Sequence, residues 1–313
     1  MGLNPRTTRF AEEIGPNGAV WIRGTGSRVS APTGVRTVAA PAGIDSFQPD
    51  EMTVSCGAGT SLLELDESLR EHGQYVNLGQ HRHSSGTVGG ALATGWNDHL
   101  RLGRGHVRES LLEAHIVDGR GDVVKGGGPT VKNVSGFDLC RLLVGSHGRL
   151  GALAAVTLRT RPLPAATRWF RVEDVSASGI TDLITRFHRP SSVLWDARSA
   201  WVCLEGHPSD IDATMADLAG SGHVTEEVEQ VPSPYRFAHR WSVAPGRVFD
   251  HVSVRAGRVL AEVGIGVIHT DETPPDPVVD PVILEIHRRL WTSFDPDRRL
   301  NPGAGDVPFV TAR

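Results

Sequence analysis

Residues 79–151 constrain this chain more than any other stretch. Sixteen of its 36 glycines fall within these 73 positions. Glycine loses the most backbone entropy on ordering and weakens the interiors of helices and strands. A glycine-dense stretch in an ordered domain therefore implies turns at positive φ, or backbone lying close to a ligand. The glycines cluster: Gly86, Gly89 and Gly90; then Gly126, Gly127 and Gly128; then Gly145, Gly148 and Gly151. Recognisable elements separate the clusters, which excludes a flexible Gly/Ser linker. Two architectures use glycine in this way. One brings backbone amides up to a single large cofactor, and the other is a loop-rich β domain with many tight turns.

Composition narrows the partners. At 313 residues, one large or two ordinary domains are expected. A chain that is 39% hydrophobic and 22% charged can build a real core and is not a disordered sequence. The formal net charge is −4 and no Lys/Arg block stands out, so nucleic acid is not an expected partner. No apolar run is long enough for a membrane span, and the N-terminus lacks the apolar core of a secretory signal. Cys56, Cys140 and Cys203 lie far apart, without the spacing of a zinc or iron–sulfur site. A reducing cytoplasm is the expected compartment.

In chain order, residues 7–14 predict a helix stopped by Gly15-Pro16. A strand at 19–22 runs into Arg23-Gly24-Thr25-Gly26-Ser27-Arg28, where consecutive amides can form an anion nest. A Rossmann site would need GxGxxG opening a helix. Pro32 and Gly34 forbid that here, so pyrophosphate binding is kept and the Rossmann fold is rejected. Strands are expected at 35–39 and 52–56. A helix with Leu62, Leu63, Leu65 and Leu69 on its apolar face follows, capped by Thr60 and ended by Gly73. Residues 111–124 read as a β-hairpin, 138–144 as a short helix and 152–161 as a strand ended by Pro162 and Pro164. Beyond lie strand, helix, strand, strand, helix and strand up to residue 228, the split-βαβ or ferredoxin-like pattern. A helix at 235–241 and strands at 252–255 and 259–268 are expected next. A Pro-rich bridge at 273–281 leads to an amphipathic helix at 283–294 and an Asn301-Pro302-Gly303 tail.

Four motifs now agree in order: RGTGS at 23–27, SGTVGGALATG at 85–95, KNVSGFDLCRLLVGSHGRLG at 132–151 and FDPDRRLNPG at 294–303. Together they resemble flavoproteins with the vanillyl-alcohol-oxidase (PCMH) type FAD domain. Within that group the chain is similar to the E-type FAD-binding subunit of glycolate oxidase. The resemblance covers about residues 19–164 and the last twenty or so. Over about 165–260 it extends only to layout.

The resemblance implies an α+β fold: a PCMH-type FAD-binding domain of two α+β subdomains over 1–164, then a small ferredoxin-like substrate cap over 165–270. Residues 271–313 would return to the FAD domain as a helix and NPG tail. In such proteins the first loop, here Arg23, Gly24, Thr25, Gly26, Ser27 and Arg28, wraps the pyrophosphate. The second, here Ser85, Gly86, Thr87, Val88, Gly89, Gly90, Thr94 and Gly95, lies along the ribityl chain and flavin ring. The third, here Gly145, Ser146, Gly148, Leu150, Gly151 and Leu153, contacts the adenine side and the sugar. Asn301 joins the cofactor-binding set. Relatives with covalent flavin carry a histidine in the first loop, and residues 23–30 contain none, so the FAD is expected to be dissociable. No metal site is expected, because His188, His207, His223, His239 and His251 are scattered.

Oxidising a 2-hydroxy acid needs a cation for the carboxylate and a base near the hydroxyl. His269, His147, His106 and His99 are candidate bases. Of these His269 is placed where relatives bring a cap residue toward the flavin, and His147 sits in the third glycine loop. Arg101, with Arg104, could hold the anion, or both could be exposed loop charges. Trp195 and Trp201 read as core. Lys132, Asp138 and Arg141 read as loop braces, and Phe137 replaces a tyrosine common in relatives. Two functions fit: an FAD-dependent oxidoreductase acting on a 2-hydroxy acid or related alcohol, or an FAD-binding accessory subunit supporting a catalytic partner. Glycolate oxidase complexes pair this type of subunit with a second flavoprotein and an iron–sulfur subunit. An oxidase of sugars or natural products is a third reading.

Overall fold

In the computed structural model, the residues described are 4–26, 30–79, 85–129, 138–187, 189–220, 225–252, 257–273, 280–304 and 311–312. The chain divides into two compact units. The first comprises Met1–Asp98, His106–Leu163 and Asp280–Val307, and the second His99–Gly105, Pro164–Val279 and Pro308–Arg313.

The first unit opens with helix α1 (Pro5–Ile14), which has proline in its first turn and Asn4 accepting from the Arg6 amide. Strands β1 (Val20–Arg23) and β2 (Arg36–Ala39) pair in parallel. Phe10, Ile14, Val20 and Val38 bury a small core with Val117, Ala152, Ala154 and Leu300. Strands β3 (Ile44–Gln48) and β4 (Thr53–Gly57) follow, then α2 (Leu62–Arg70), the short β5 (Gln74–Tyr75) and α3 (Val88–Thr94). One turn of helix, α4 (Arg101–Arg104), belongs to the second unit. Then come β6 (Leu111–Val117), β7 (Val123–Gly127), α5 (Leu139–Leu143), β8 (Ala152–Arg159) and β9 (Arg161–Pro162). The main sheet is antiparallel in the order β3-β4-β8-β6-β7. Leu62, Leu65 and Leu69 of α2, Ala91 and Leu92 of α3 and Leu143 of α5 seal its core.

Three local readings change here. The cap of α2 is Ser61, which accepts from the Leu63 and Glu64 amides. Thr60 instead closes the preceding turn, donating to the Gly57 carbonyl at 2.7 Å and accepting from the Gly43 amide at 2.9 Å. The second glycine segment is not a loop along its length. Residues from Val88 form a helix, with Thr87 accepting from the Gly90 amide at 3.1 Å and Gly95 closing it at φ 60°. Two internal glycines cost such a helix about 1 kcal/mol each relative to alanine. Gly89 is required because a Cβ there would lie 2.8 Å from the Ala58 carbonyl oxygen. Strand β3 was not anticipated, since IDSFQ carries only two apolar residues.

The second unit contains β10 (Ala166–Val172), α6 (Ala177–Arg186), β11 (Ser192–Trp195), β12 (Ala200–Gly206), α7 (Pro208–Gly220) and β13 (Thr225–Val228). These lie in the order β13-β10-β12-β11, every neighbouring pair antiparallel, as the split-βαβ pattern requires. The sheet does not stop there. Strands β14 (His239–Val243), β15 (Val259–Glu262) and β16 (Val267–Thr270) continue it past β11 as β15-β16-β14, with helix α8 (Val248–Val252) between β14 and β15 in the chain. The expected helix at 235–241 is a single 3-10 turn followed by β14. The expected strand at 259–268 is two strands folded at Gly264 and Gly266, both near φ 85°. Val252 ends a helix rather than starting a strand, and residues 253–256 lie outside those described.

The period-2 alternation of these strands separates two faces. Phe170, Val172, Val193, Trp195, Val202, Leu204, Trp241, Ala261 and Ile268 pack with Ile180 and Leu183 of α6, Ile211 and Leu218 of α7, and Val248 and Val252 of α8. The opposite face carries Leu194, Trp201 and Leu260, with Trp169, Val231 and Phe237 against them.

The chain then enters the first unit again as α9 (Pro281–Phe294), whose Leu290, Trp291 and Phe294 pack on the main core. Its first turns leave Val282, Ile283, Leu284 and Ile286 at 66%, 46%, 50% and 51% exposure. Strand β17 (Thr311–Ala312) pairs in parallel with β14. Among the described residues, no helix is long and apolar enough to cross a membrane.

Candidate FAD site

A cleft of about 280 Å³ lies in the first unit where β1 runs into its glycine turn. A smaller lobe of about 60 Å³ shares Ile22, Gly24, Thr87, Gly90, Ala93 and Asn301 with it, so the two form one depression. Four separated stretches build most of its walls: residues 21–26 with Ser30 and Ala31, the start and inner face of α3, the 147–153 turn, and Asn301 with Ala304.

Of the residues singled out in the sequence, Arg23, Gly24, Thr25, Gly26, Thr87, Gly90, Thr94 and Asn301 line the main lobe. Gly89, Gly148 and Leu153 line the smaller one. Ser27 and Arg28 lie outside the described residues, as do Lys132 and Phe137.

Other members of that set do different work. Val88 and Leu150 are core side chains. The Gly86 carbonyl accepts from the Leu62 amide at the head of α2, and Ser85 is exposed beside it. Gly95 packs backbone to backbone on Gly145, a Cβ at Gly95 lying 3.1 Å from the Gly145 Cα. The Ser146 amide donates to Leu143, and Gly151 makes room for Ile116. Neither lobe's lining includes these residues. The cleft also takes in Trp21, Ile22, Ala31 and Ala304, and its smaller lobe Ala40 and Ala58, which nothing in the sequence marked, together with Ala93 and Ala152 from within the second and third glycine stretches. Alanine fits ordinary strand and helix positions, so only close approach reveals its use.

Asn301 ties the walls together. Its Oδ1 accepts from the Ile22 amide at 2.7 Å, and its Nδ2 donates to the His147 carbonyl at 2.8 Å. Both Asn301 and His147 sit at positive φ, 46° and 54°. A Cβ on Gly148 would meet Asn301 Nδ2 at 2.4 Å. The segment is anchored further by buried Arg299, whose guanidinium donates to the carbonyls of Ile14, Asn17, Gly18 and Gly119. Burial lowers the Arg299 pKa from its ordinary value, and the nearby carboxylate of Asp295 offsets only part of that effect.

Arg23 and His147 are the ionisable side chains among the cleft-lining residues. Burial, reinforced by Arg149, lowers the His147 pKa from its ordinary 6.5. The rest of the lining is backbone, hydroxyl, amide and small apolar groups. A Cβ on Gly24 would stand 2.5 Å from Thr87 Oγ1, so the first turn can touch α3 only as glycine. These are the properties a flat ring with a pyrophosphate needs: amide donors, close backbone approach and little side-chain bulk. The residues present fit FAD.

The other candidates lie elsewhere. His106 caps the turn at Val107–Glu109, its Nδ1 accepting from the Arg108 amide. Asp138 caps α5 and pairs with Arg141 at 2.9 Å. In the second unit Arg104 forms a fork on Glu205, Nε donating to Oε2 at 3.1 Å and Nη2 to Oε1. Trp195 is buried and donates to the Val175 carbonyl. Arg101 is half-buried in α4. His99 Nδ1 lies 3.1 Å from the Tyr235 hydroxyl. His269 is not the open base that its position suggested. It is 2% exposed, sits within β16, and its Nε2 lies 2.6 Å from Oε1 of Glu262 on β15. Burial alone would raise the Glu262 pKa, but the His269 bond, with Arg240 and His99 nearby, outweighs it and holds the carboxyl below its ordinary range. An ionised carboxylate only accepts, so His269 Nε2 carries the proton. Among the described residues, no group of three or more His, Cys, Asp or Glu side chains could hold a metal ion.

Residues 9–127 match a family model described as an FAD binding domain, and the mixed helix-and-strand architecture is consistent with the PCMH α+β fold. The chain is 28% identical over 200 residues to glycolate oxidase subunit GlcE of Escherichia coli (strain K12), covering 62% of this chain and 57% of that protein. It is 38% identical over 116 residues to a D-lactate dehydrogenase of Archaeoglobus fulgidus, covering 36% of this chain and 25% of that one. The chain thus spans just over half the length of the first relative and a quarter of the second. Among solved structures, an alkyldihydroxyacetonephosphate synthase matches with a TM-score of 0.66 at 13% identity, over 95% of this chain and 73% of that one. At that identity the likeness speaks for the fold alone.

Proposed function

We propose that the chain is an FAD-dependent oxidoreductase that oxidises a 2-hydroxy acid or a related alcohol. The observation that carries this reading is the cleft: two glycine-bearing turns, α3 and the Asn301 turn meet at one depression, lined mostly by uncharged groups, whose first walls lie in the stretch that matches the FAD binding model. Relatives named for glycolate, D-lactate and D-2-hydroxyglutarate support the substrate class. Bound FAD supplies the two-electron acceptor, taking hydride from the substrate carbon while the hydroxyl proton leaves to a base. The chain's part is to hold and orient. Main-chain amides at residues 23–26 and 147–148 would hold the cofactor, and Asn301 bridges the two turns. Residues 23–30 contain no histidine for covalent attachment, so the cofactor is held without a bond to the chain.

A second reading, an accessory subunit that supports a catalytic partner, is favoured by α9. Four aliphatic residues within positions 282–286 stand about half exposed or more, which is unusual for a surface facing water alone. GlcE of Escherichia coli and GlcD of Bacillus subtilis, the latter 24% identical over 139 residues, are both named as glycolate oxidase subunits. The three cysteines are buried and free, so electrons from reduced flavin would leave to an acceptor outside the chain, such as a second flavoprotein or an iron–sulfur subunit. Anaerobic mixing with glycolate or D-lactate separates the two readings. Bleaching of the flavin in the isolated chain supports the oxidoreductase. Bleaching only with partner subunits supports the accessory role, and no bleaching in either case removes the 2-hydroxy acid.

A further inference from the structure

Among the described residues, the lining of the FAD cleft holds cationic or titratable side chains but no anion. Arg23 comes from the end of β1 and His147 from the third glycine turn. Helix α3 and its cap bring Thr87, Gly90, Ala93 and Thr94 to the main lobe, and none of these ionises. Asn301 and Ala304 are likewise uncharged, and no carboxylate lines either lobe. Arg149, on the same turn as His147, adds a positive charge that the imidazole feels.

The main chain of His147 is already committed. Its amide donates to the Ala93 carbonyl at 2.8 Å, and its carbonyl accepts from Asn301 Nδ2 at 2.8 Å. These two bonds fix a left-handed backbone at φ 54°. What the residue can still offer the lobe is its half-buried imidazole, which makes no hydrogen bond among the described residues. With burial and Arg149 as its surroundings, that ring gives up its proton more readily than an ordinary histidine. FAD carries two negative phosphate charges. An opposite charge close by favours the protonated ring, so a dianion in the lobe reverses the balance.

We propose that His147 takes up a proton from solvent when FAD binds and holds the cofactor as an imidazolium, so that FAD affinity is coupled to pH. Arg23 supplies the constant part of the attraction, because a guanidinium stays charged throughout. His147 supplies the part that varies. By linkage, affinity is weakest above both pKa values of the ring, rises as pH falls between them, and levels off below both. The inference rests on FAD as the cofactor and is independent of which substrate is oxidised.

Titration of the full cofactor-free chain with FAD tests this, followed by flavin fluorescence from about pH 8 to about pH 5.5, on either side of the ordinary histidine range. Wild type is expected to bind FAD about five- to tenfold more tightly at the acid end. Calorimetry near the middle of the range, in buffers of different ionisation enthalpy, should show net proton uptake. His147→Asn keeps a residue tolerant of the left-handed backbone. It should bind with the high-pH affinity throughout and take up no proton. Arg23→Met should bind more weakly at every pH with the slope unchanged. Wild-type affinity that does not vary with pH, or proton uptake that persists in His147→Asn, would overturn the assignment and leave FAD binding intact. Should His147→Asn not fold, Arg149→Met decides. Removing that neighbouring charge should move the rise in affinity to higher pH, and an unmoved rise would overturn the proposal. A chain that binds no FAD at any pH would remove the cofactor reading and this contact with it.

Discussion

The side-chain amide of Asn301 donates to the His147 carbonyl at 2.8 Å across 154 residues of sequence. With Oδ1 accepting from the Ile22 amide, this side chain sets the gap between the end of β1 and the third glycine turn. The cleft width is thus set by a residue from the far end of the chain.

Asn301→Asp keeps the acceptor for Ile22 and loses the donor to His147. Asn301→Ala loses both and strains the left-handed backbone at φ 46°. We expect losses of about 1–2 kcal/mol for Asp and about 2–3 kcal/mol for Ala in urea unfolding. FAD affinity should fall in the same order. Equal FAD affinity in all three proteins would show that the clasp does not shape the cleft.

Gly24→Ala places a methyl 2.5 Å from Thr87 Oγ1. The N-cap of α3 and the first turn must then separate, for about 1–3 kcal/mol of stability. The effect on FAD should exceed the effect on folding, because the displaced atoms line both lobes. Gly24→Ala with Thr87→Ser, which removes the Cγ2 contact at 3.1 Å, should recover part of the affinity. Tight FAD binding by Gly24→Ala would argue that the turn is not at the ligand.

His147 gives a pH signature. Burial and Arg149 lower its pKa from 6.5, so the folded chain takes up its proton less readily than the unfolded chain. Stability from this group is complete above pH 6.5, falls as pH drops below that, and levels off once the folded pKa is passed. His147→Asn keeps a residue tolerant of the left-handed backbone and removes the titration. Unfolding of the cofactor-free protein between about pH 6.5 and 5 should be flatter in the variant than in wild type. Parallel slopes would contradict the shift.

The fork between Arg104 and Glu205 makes a second-unit prediction. Burial would raise the Glu205 pKa, but Arg104, Ser191 and Thr167 outweigh it and hold it below its ordinary 4.5. Stability from this group is present above pH 4.5 and is lost as pH falls through the lowered folded value. Arg104→Met leaves a buried carboxylate without its counter-ion and should cost about 3–5 kcal/mol at neutral pH. Removing both charges, in Arg104→Met with Glu205→Gln, should cost less than Arg104→Met alone. The reverse order would mean that the fork contributes little.

Periodicity made most of the first unit legible, and it gave the order of the first six strands and helices of the second unit. It missed the hairpin turn inside 259–268, because Val-Gly-Ile-Gly-Val keeps the apolar spacing of one strand while Gly264 and Gly266 supply the reversal. It also misread 235–241. Tyr, Phe and Trp there suit either period, and pairing with β16 decides for a strand. Clustered glycines pointed to turns that line the cleft but not to which of their glycines line it. Gly24 and Gly148 line the cleft, whereas Gly95, Gly145 and Gly151 sit in the same kind of motif and serve packing. The alanines of the lining carry no signal in a single sequence. The Glu262–His269 pair was half visible, because register across a turn cannot be counted before the turn is known.

Titration of the purified chain with FAD is the most direct test of the central claim, that four separated segments form one cleft for this dinucleotide. The expected result is one FAD bound per chain, a flavin absorbance band in the complex, and yellow colour released to the supernatant on acid precipitation. A colourless chain that leaves added FAD free at every concentration would contradict the account.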